Sequence, residues 1–399
     1  MAKLLKKFTE TPEFEKSIAL SAYAFNAVPS KEDIAKNQEL LQHTTNWGIF
    51  DGDLLASQVL VLPYQVNLAG KELKMAGIGN VATYPDYRGT GSINQLFTGI
   101  FEDLKNNQTV LSYLNPFNQE FYRKYGYEVI FYLQETVIQQ KEIAQLPFEK
   151  TGSIRRSDKT QANVQSILKE LYRQTLQKDD GSLIREDWWW DLSFKYQTEE
   201  LLAISYDDNN CPNGYLIYQM TKTEMEIIEI VYLNQSGLNK ILGFIASHQP
   251  TFKTFRFKKD LGALLPLVAT NNKEVKQTLI PSMMVKIISF KGLIEKMSFN
   301  VTGSQRFYLG VSDEYSSWNH GTWEITIKAG QAQAELIDTD LVSKNHLVAD
   351  IKTWAQVLLK STAVSNLVLL ERLKINDIEE GSQFLNSLKE THLGLHDFF

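Results

Sequence analysis

A short basic turn, Arg88-Gly89-Thr90-Gly91-Ser92, carries the residue types that bind phosphate groups. Glycines allow several backbone N–H groups to point toward one position, and the beginning of a helix adds unpaired donors and partial positive charge. The arginine adds a full positive charge beside them. The turn therefore predicts a seat for a phosphate or pyrophosphate, although the same pattern also occurs as an ordinary turn before a helix. Neither the three-glycine dinucleotide fingerprint nor a Gly-Lys-Ser/Thr phosphate loop is present.

The residues on either side of this turn predict a strand before it and a helix after it. Ile78, Val81 and Thr83 lie near the end of the strand, and Pro85 stops it because proline cannot donate a hydrogen bond to a sheet. After the turn, apolar residues recur with the spacing of one helix face: Ile93, Leu96, Phe97, Ile100, Phe101 and Leu104.

A second stretch with chemical potential covers residues 109–133. Its pattern predicts a short strand, a helix at 119–125 that ends before Gly126, and a final strand from Glu128 to Leu133. Three tyrosines lie close together in it: Tyr122, Tyr125 and Tyr127. A phenol with a pKa of about 10 stays protonated at neutral pH and can donate a proton in a reaction. Packing in the core is the alternative interpretation for all three.

The sequence VATYPDYRGTGSINQLF, residues 81–97, resembles motif A of the GNAT acetyltransferases. In that motif an Arg/Gln-x-x-Gly-x-Gly/Ala loop surrounds the pyrophosphate of coenzyme A. Arg88 and Gly91 match it, whereas Ile93 stands where the family has Gly or Ala. The run FYRKYGYE, residues 121–128, resembles a second GNAT segment and is most similar to the Eis-like (enhanced intracellular survival) subfamily.

The resemblance implies a binding path for acetyl-CoA. In GNAT folds the strands that correspond to residues 78–83 and 109–115 splay apart, and the pantetheine arm enters the gap; ordinary pairing of the strands is the alternative. The residues so implied are Val81, Ala82, Thr83, Arg88, Gly89, Thr90, Gly91, Ser92, Ile93, Asn94, Phe117 and Asn118. For the acceptor, Phe25 and Trp47 are candidates to line a substrate cleft, with core positions as the alternative.

The resemblance also implies two catalytic groups. By motif position Tyr122 is the general acid that protonates the leaving thiolate. In Eis-like enzymes the C-terminal carboxylate is the base, a role that falls here to Phe399; holding a cationic substrate, or anchoring the chain by its ring alone, are the alternatives. A free α-carboxylate has a pKa of about 3.3–3.7 and is a weak base unless it is buried or works through water. His396 and Asp397 are expected at the surface.

The fold class predicted is α+β, with two tandem GNAT folds and a sterol-carrier-protein-like domain. Residues 1–145 begin with two helices, the second capped by Ser30, and a hairpin turns at Asp51-Gly52. Residues 146–288 repeat the order of strands and helix, but the turn at 233–237 lacks an arginine and a second glycine, so this copy is predicted not to bind CoA. Residues 289–399 contain W-N-x-G-x-W, which resembles the sterol-carrier-protein-like domain of Eis-like chains.

The composition narrows the class of protein further. The chain of 399 residues is 43% hydrophobic with a net charge of −6, so nothing indicates nucleic-acid binding. No stretch approaches the roughly 20 apolar residues of a membrane span, and no signal peptide is recognisable, which predicts a cytoplasmic protein. Cys211 is the only cysteine, which excludes an internal disulfide, and no metal-site spacing is present.

The function predicted is acetyl-CoA-dependent transfer of an acetyl group to a primary amine, on an aminoglycoside, a polyamine or a lysine-type acceptor. Direct transfer is favoured because Cys211, the only thiol, lies in the second copy. A non-catalytic protein that binds CoA or a lipid-like ligand is the alternative. The resemblance also implies a homo-oligomer, with the hexamer as its expected form.

Overall fold

The structure, a computed structural model, has a mixed α/β architecture in which helices pack on two sheets. It describes residues 3–143, 146, 151–176, 179–258, 275–338, 345–395 and 397–399. Within these ranges no helix is long and apolar enough to cross a membrane. His396, which is predicted to lie at the surface, falls outside the described residues.

The first fold is a meander of strands around the glycine turn. Its elements are β1 (Leu4–Phe8), α1 (Thr11–Ala24), α2 (Lys31–His43), β2 (Thr45–Asp51), β3 (Leu54–Leu68), β4 (Lys71–Thr83), α3 (Ser92–Asn106), β5 (Leu111–Leu114), α4 (Gln119–Arg123) and β6 (Glu128–Gln139). A 3-10 turn at Pro85–Tyr87 separates β4 from α3. These bounds confirm the predicted helices and hairpin. Strand β1 is an addition, and its two lysines suit the edge position beside β2.

Local chemistry explains where the two predicted helices around the site begin. The Ser30 hydroxyl accepts the Asp33 N–H at 3.1 Å, and the Asp33 carboxylate accepts the Ser30 N–H at 2.9 Å, which completes the capping box of α2. Helix α3 begins after Gly91, and its apolar stripe is buried against the sheet at Leu96, Phe97, Ile100, Phe101 and Leu104.

The second fold repeats this plan. Its elements are α5 (Gln140–Ile143), β7 (Ser153–Ser157), α6 (Ala162–Thr175), α7 (Asp187–Tyr196), β8 (Leu201–Tyr206), β9 (Pro212–Met220), β10 (Glu224–Tyr232), α8 (Gln235–Ser247), β11 (Thr254–Phe257) and β12 (Lys276–Ile287). The repeated order of strands and helix that is predicted for this copy is confirmed.

Both folds share one sheet, whose described strands run in the order β1-β2-β3-β4-β5-β12-β6-β11-β10-β9-β8-β7. Strand β12 inserts between β5 and β6, where Met284–Ile287 pair antiparallel with Leu114–Leu111. On its other edge β6 pairs with β11 of the second fold. The two folds therefore exchange strands, and the chain positions 145 and 288 remain predicted boundaries only.

The third fold is a five-stranded sheet with helices, in the order β15-β14-β13-β16-β17. Its elements are α9 (Phe290–Lys296), β13 (Ser304–Ser312), β14 (Gly321–Lys328), β15 (Gln331–Asp338), β16 (Leu347–Asp350), α10 (Ile351–Leu358), α11 (Val364–Leu369), β17 (Leu373–Ile375) and α12 (Ile378–Ser387). Residues 347–350 pair with β13, and the Asp350 carboxylate caps α10 by accepting the Thr353 N–H at 2.7 Å.

A buried ion pair joins the inserted strand to the third fold. Lys286 of β12 has a fully buried side chain, and its Nζ lies 3.2 Å from Oδ2 of Asp313, which is 1% exposed. The carboxylate also accepts hydrogen bonds from the backbone of Tyr315 and Ser316 and from the Asn319 amide. Burial lowers the pKa of Lys286, and the charge of Asp313 opposes that change.

Removal of the carboxylate should destabilise the protein strongly. Asp313→Ala leaves the Lys286 ammonium buried without a counter-charge, which costs roughly 3–5 kcal/mol. Chemical denaturation measures the loss in unfolding free energy. Lys291→Ala is the control, because the pair that it removes, Lys291–Glu295 at 3.6 Å, is solvent-exposed and is worth about 0–1 kcal/mol. Equal losses in both variants would show that the buried pair does not hold the folds together.

Candidate active site

The glycine turn leaves the beginning of α3 open toward solvent. Gly89 and Gly91 both have left-handed backbone, with φ of 74° and 79°, which only glycine adopts without strain. Gly91 is the N-cap residue, so no side chain caps the first N–H groups of α3. Arg88 is exposed beside them, and the Thr90 hydroxyl is held by donating to the Tyr87 carbonyl at 2.8 Å. This arrangement can receive an anion.

Strands β4 and β5 separate close to this turn. Their parallel pairing covers only Met75–Ile78 with Leu111–Leu114, whereas β4 continues to Thr83. A bulge at Asn80, with φ of 47°, bends β4 as the two strands part. Among the described strands none pairs with this edge beyond Ile78, so the segment that contains Val81, Ala82 and Thr83 borders an open gap. The predicted splay is therefore present.

The gap opens into a cavity of about 620 Å³ between the first and second folds. The first fold contributes mostly apolar side chains, which include Phe25, Val81, Phe117 and Tyr122. The second fold and the end of the chain contribute further lining residues: Arg185, Trp189, Ile228, Glu229, Asp397, Phe398 and Phe399. The charged side chains in the lining are Lys36, Arg185, Glu200, Glu229 and Asp397, so acidic groups outnumber basic ones.

Tyr122 lies in this cavity as the resemblance implies. It belongs to α4, whose N-cap Asn118 accepts the Phe121 N–H at 3.0 Å. The Tyr122 ring is only 3% exposed and meets the ring of Phe117 edge to face at 5.5 Å. Burial raises its pKa well above the usual value, and no hydrogen bond of its hydroxyl contributes to that shift. The phenol therefore keeps its proton and remains available to a ligand.

The two neighbouring tyrosines have structural contacts. Tyr125 and Tyr127 are fully buried, so these two residues take the core packing that the sequence left open. The Tyr125 hydroxyl donates to Oδ1 of Asn94 at 2.5 Å, which ties α4 to the first turn of α3. The Tyr127 and Ser112 hydroxyls are 2.7 Å apart. Asn94 thus supports the turn through its side chain.

The last residue docks its ring in the cavity against the first fold. The Phe399 ring packs at 4.8 Å from the ring of Tyr64 on β3. It also covers Gly77 on β4, where an added Cβ would lie 2.6 Å from a ring carbon. Glycine is required at this position because the aromatic ring approaches the backbone so closely. Phe399 and Tyr122 therefore line the same cavity from different elements.

Asp397 is buried in this region, so its expected surface position is wrong. Its side chain is 5% exposed, and its Oδ1 lies 2.8 Å from Nε of Arg185. The indole of Trp189 donates to the same oxygen at 2.9 Å. Arg185 also pairs with Glu229 on β10 at 2.7 Å. The surface prediction failed because an isolated Asp gives no local sign of the distant arginine that compensates its charge.

The two candidate substrate residues lie in different places. Phe25 is 54% exposed and lines the cavity. Trp47 lies instead in the core beneath α3, where its ring would be 3.1 Å from a Cβ added at Gly99. It is 9% exposed and is not part of the lining. Trp47 therefore takes the alternative that the sequence left open, a core position, since the hairpin turns its side chain toward the helix.

The corresponding turn of the second fold is closed. The N-cap Asn234 accepts the Gly237 N–H at 2.9 Å, which uses a donor at the beginning of α8. An added Cβ at Gly237 would lie 2.4 Å from the carbonyl oxygen of Asn213, so the backbone of β9 packs directly on this turn. The turn has no arginine, and the Asn213 carbonyl occupies the space beside Gly237.

Sequence reasoning did not single out Arg185 or Glu229. The only signal was the charged run before three tryptophans, Arg185-Glu-Asp-Trp-Trp-Trp. Of these tryptophans, Trp190 is buried and Trp189 lines the cavity. Across the described part of the chain, no group of three or more His, Cys, Asp or Glu side chains could hold a metal ion.

Three family models match successive parts of the chain. An acetyltransferase (GNAT) domain matches residues 6–130, a second acetyltransferase (GNAT) domain matches 181–287, and a sterol carrier protein domain matches 290–392. The protein is therefore an acetyltransferase enzyme with two tandem GNAT folds and a sterol-carrier-protein-like domain. No curated protein gives a significant match.

Solved structures resemble the whole chain. A protein from Enterococcus faecalis, described as a probable N-acyltransferase of unknown function, is 32% identical over 100% of both chains, with a TM-score of 0.89. A GCN5-related N-acetyltransferase from Anabaena variabilis is 20% identical over 100% of both, with a TM-score of 0.86. Eis1 from Mycobacterium abscessus is 14% identical over 100% of both, at 0.82, which shows a common fold. The chain belongs to the GNAT acetyltransferases.

Proposed function

We propose that the protein is an Eis-like N-acetyltransferase that moves the acetyl group of acetyl-CoA directly to a primary amine. The observation that carries this proposal is the continuity of the site. Strand β4 parts from β5 beyond Ile78, its Val81 lines the cavity together with Tyr122, and the open beginning of α3 follows β4 along the chain. The proposed units remain residues 1–145, 146–288 and 289–399, assembled as a cytoplasmic homo-oligomer, with the hexamer as its expected form.

The residues fit acetyl-CoA along this path. Arg88 and the N–H groups from Gly89 to Asn94 offer charge and donors to the pyrophosphate. The free edge of β4 at Val81–Thr83 offers backbone groups to the pantetheine arm, which extends between the strands. Phe117 lies at the cavity beside Tyr122, at the end of this path. The acetyl group is thereby directed toward the phenol.

Tyr122 acts as the general acid. When the amine attacks the thioester, the tetrahedral intermediate collapses and the C–S bond breaks, and the phenol donates its proton to the sulfur. Burial raises the pKa of Tyr122, which favours the neutral, protonated phenol at physiological pH. An acid held beside the leaving group protonates the thiolate directly, so the proton need not come from solvent.

The carboxylate of Phe399 receives the amine and accepts its proton. The Phe399 ring is fixed on Tyr64 and Gly77, which supports a defined place for the group attached to it. The acidic side chains in the lining are paired with cations, Glu229 and Asp397 with Arg185 and Glu200 with Lys159. The Phe399 carboxylate is therefore the group that favours a cationic acceptor over an anionic one. A panel of aminoglycosides, polyamines and lysine-type amines, assayed by thiol release from acetyl-CoA, identifies the acceptor class.

Arg88→Glu should weaken acetyl-CoA binding, because it puts a negative charge beside the pyrophosphate. The rise in melting temperature that acetyl-CoA causes should become smaller, and the dissociation constant from calorimetry should increase. Lys74→Glu, on the exposed part of β4, makes the same charge change away from the turn and serves as the control. An unchanged dissociation constant in Arg88→Glu would remove this turn from the cofactor site.

Tyr122→Phe should lower kcat by about 10²–10⁴-fold, with little change in KM, because it removes only the proton donor. Calorimetry should show normal CoA binding. Since burial raises the pKa of Tyr122, the proton is lost only as pH rises above the usual value of about 10. The wild-type rate should therefore not fall through this group below about pH 10. A variant with full activity would exclude the phenol as the acid.

Two glycines added after Phe399 should lower kcat, because the terminal carboxylate moves away while both phenylalanine rings can stay in place. The melting temperature and CoA binding should not change. Two glycines added before Met1 are the control for chain extension. If kcat/KM survives the extension after Phe399, the terminal carboxylate is not the base.

A further inference from the structure

The second fold has a bulged strand, β10, that faces the same cavity. The bulge lies between Ile227 and Glu229, and within the described residues the parallel pairing of β10 with β11 reaches Ile227, whereas β10 continues to Tyr232. Strand β4 behaves alike, since its pairing with β5 ends at Ile78 and a bulge follows at Asn80. The second fold thus has a bulge at the place that matches the bulge of β4, and it lacks the phosphate turn.

A buried ion pair lies beside this bulge. Arg185 and Glu229 have side chains only 7% and 4% exposed, and their charged groups are 2.7 Å apart. The Arg185 guanidinium lies over the rings of Tyr172 and Trp190, at 4.1 and 4.7 Å from their centres. A buried arginine with this environment is preorganised to bind a further carboxylate.

That further carboxylate comes from the end of the chain. Asp397 reaches Arg185 and the Trp189 indole at 2.8 and 2.9 Å. A few residues earlier the tail is already fixed, because the Asp180 N–H donates to the His392 carbonyl at 2.7 Å and the Gly394 N–H donates to the Asp180 carbonyl at 3.0 Å. One segment of the second fold, residues 180–189, therefore holds the tail at two places.

We propose that Arg185, Trp189 and Glu229 form a tail clamp, in which the second fold positions the Phe399 carboxylate for the reaction in the first fold. Asp397 is held on the second fold, and the Phe399 ring is held on Tyr64 and Gly77 of the first. With both ends of this short segment fixed, the carboxylate between the folds loses its freedom before the substrate binds. These are positioning residues, and the inference depends on the proposed role of the terminal carboxylate.

A double-mutant cycle tests the clamp in the full-length protein. Asp397→Asn keeps the shape of the side chain but removes its charge, and we expect kcat to fall roughly 10–100-fold, as for a displaced catalytic group. The acetyl-CoA dissociation constant should stay unchanged. In the protein that carries two glycines after Phe399, the same substitution should cause no further loss. Asp187→Asn, at an 86% exposed carboxylate near the clamp, is the matched control and should be silent.

The outcomes separate this inference from the proposed function. If the extension lowers kcat but Asp397→Asn does not, the clamp is overturned and the carboxylate keeps its role. If the two losses multiply, Asp397 acts by an independent route, and the clamp is also overturned. If the extension by itself leaves kcat unchanged, the catalytic role of the Phe399 carboxylate and the tail clamp are both overturned. Should Asp397→Asn not fold, Trp189→Phe, which removes one hydrogen bond at 2.9 Å, replaces it in the cycle with a smaller expected loss.

Discussion

The hydrogen bonding of strand β6 is the constraint on which the rest of the structure depends. One edge of β6 pairs with β12 and the other with β11, so this single strand belongs to both GNAT folds. Because a sheet fixes the distance and direction of neighbouring strands, the two folds have one relative orientation. That orientation makes the splayed part of β4 and the bulge of β10 border the same cavity. A site between two loosely joined domains would lack this precision.

The third fold is attached to the same two strands. Lys286 of β12 pairs with Asp313, and Glu128 of β6 accepts a hydrogen bond from Arg372 at 3.0 Å. Lys286, Asp313 and Glu128 are buried at these contacts. Removal of one partner would therefore destabilise the folded protein strongly. The chain that leaves α12 consequently starts from a fixed point and returns to the junction of the first two folds. All three folds therefore determine how the C-terminal tail reaches the cavity.

The two GNAT copies differ in how the polar groups near the cavity are paired. In the first copy no side chain caps the beginning of α3, and no described strand pairs with β5's side of β4 beyond Ile78. The backbone donors and acceptors at these places are available to a ligand. In the second copy Asn234 caps α8, and the Arg185–Glu229 ion pair lies beside the bulge of β10. Arg185 and Glu229 of the second copy therefore pair with each other, and both line the cavity.

The sequence by itself determined the features that depend on neighbours along the chain. The glycine turn, the apolar stripe of α3 and the capping box at Ser30 follow from local sterics and hydrogen bonding. The family resemblance singled out Tyr122 by its motif position. Only the tertiary structure decided the insertion of β12, the core position of Trp47 and the burial of Asp397. Each of these depends on partners far away in sequence, such as Arg185 for Asp397, and no local pattern specifies which distant strand or charge will be the partner.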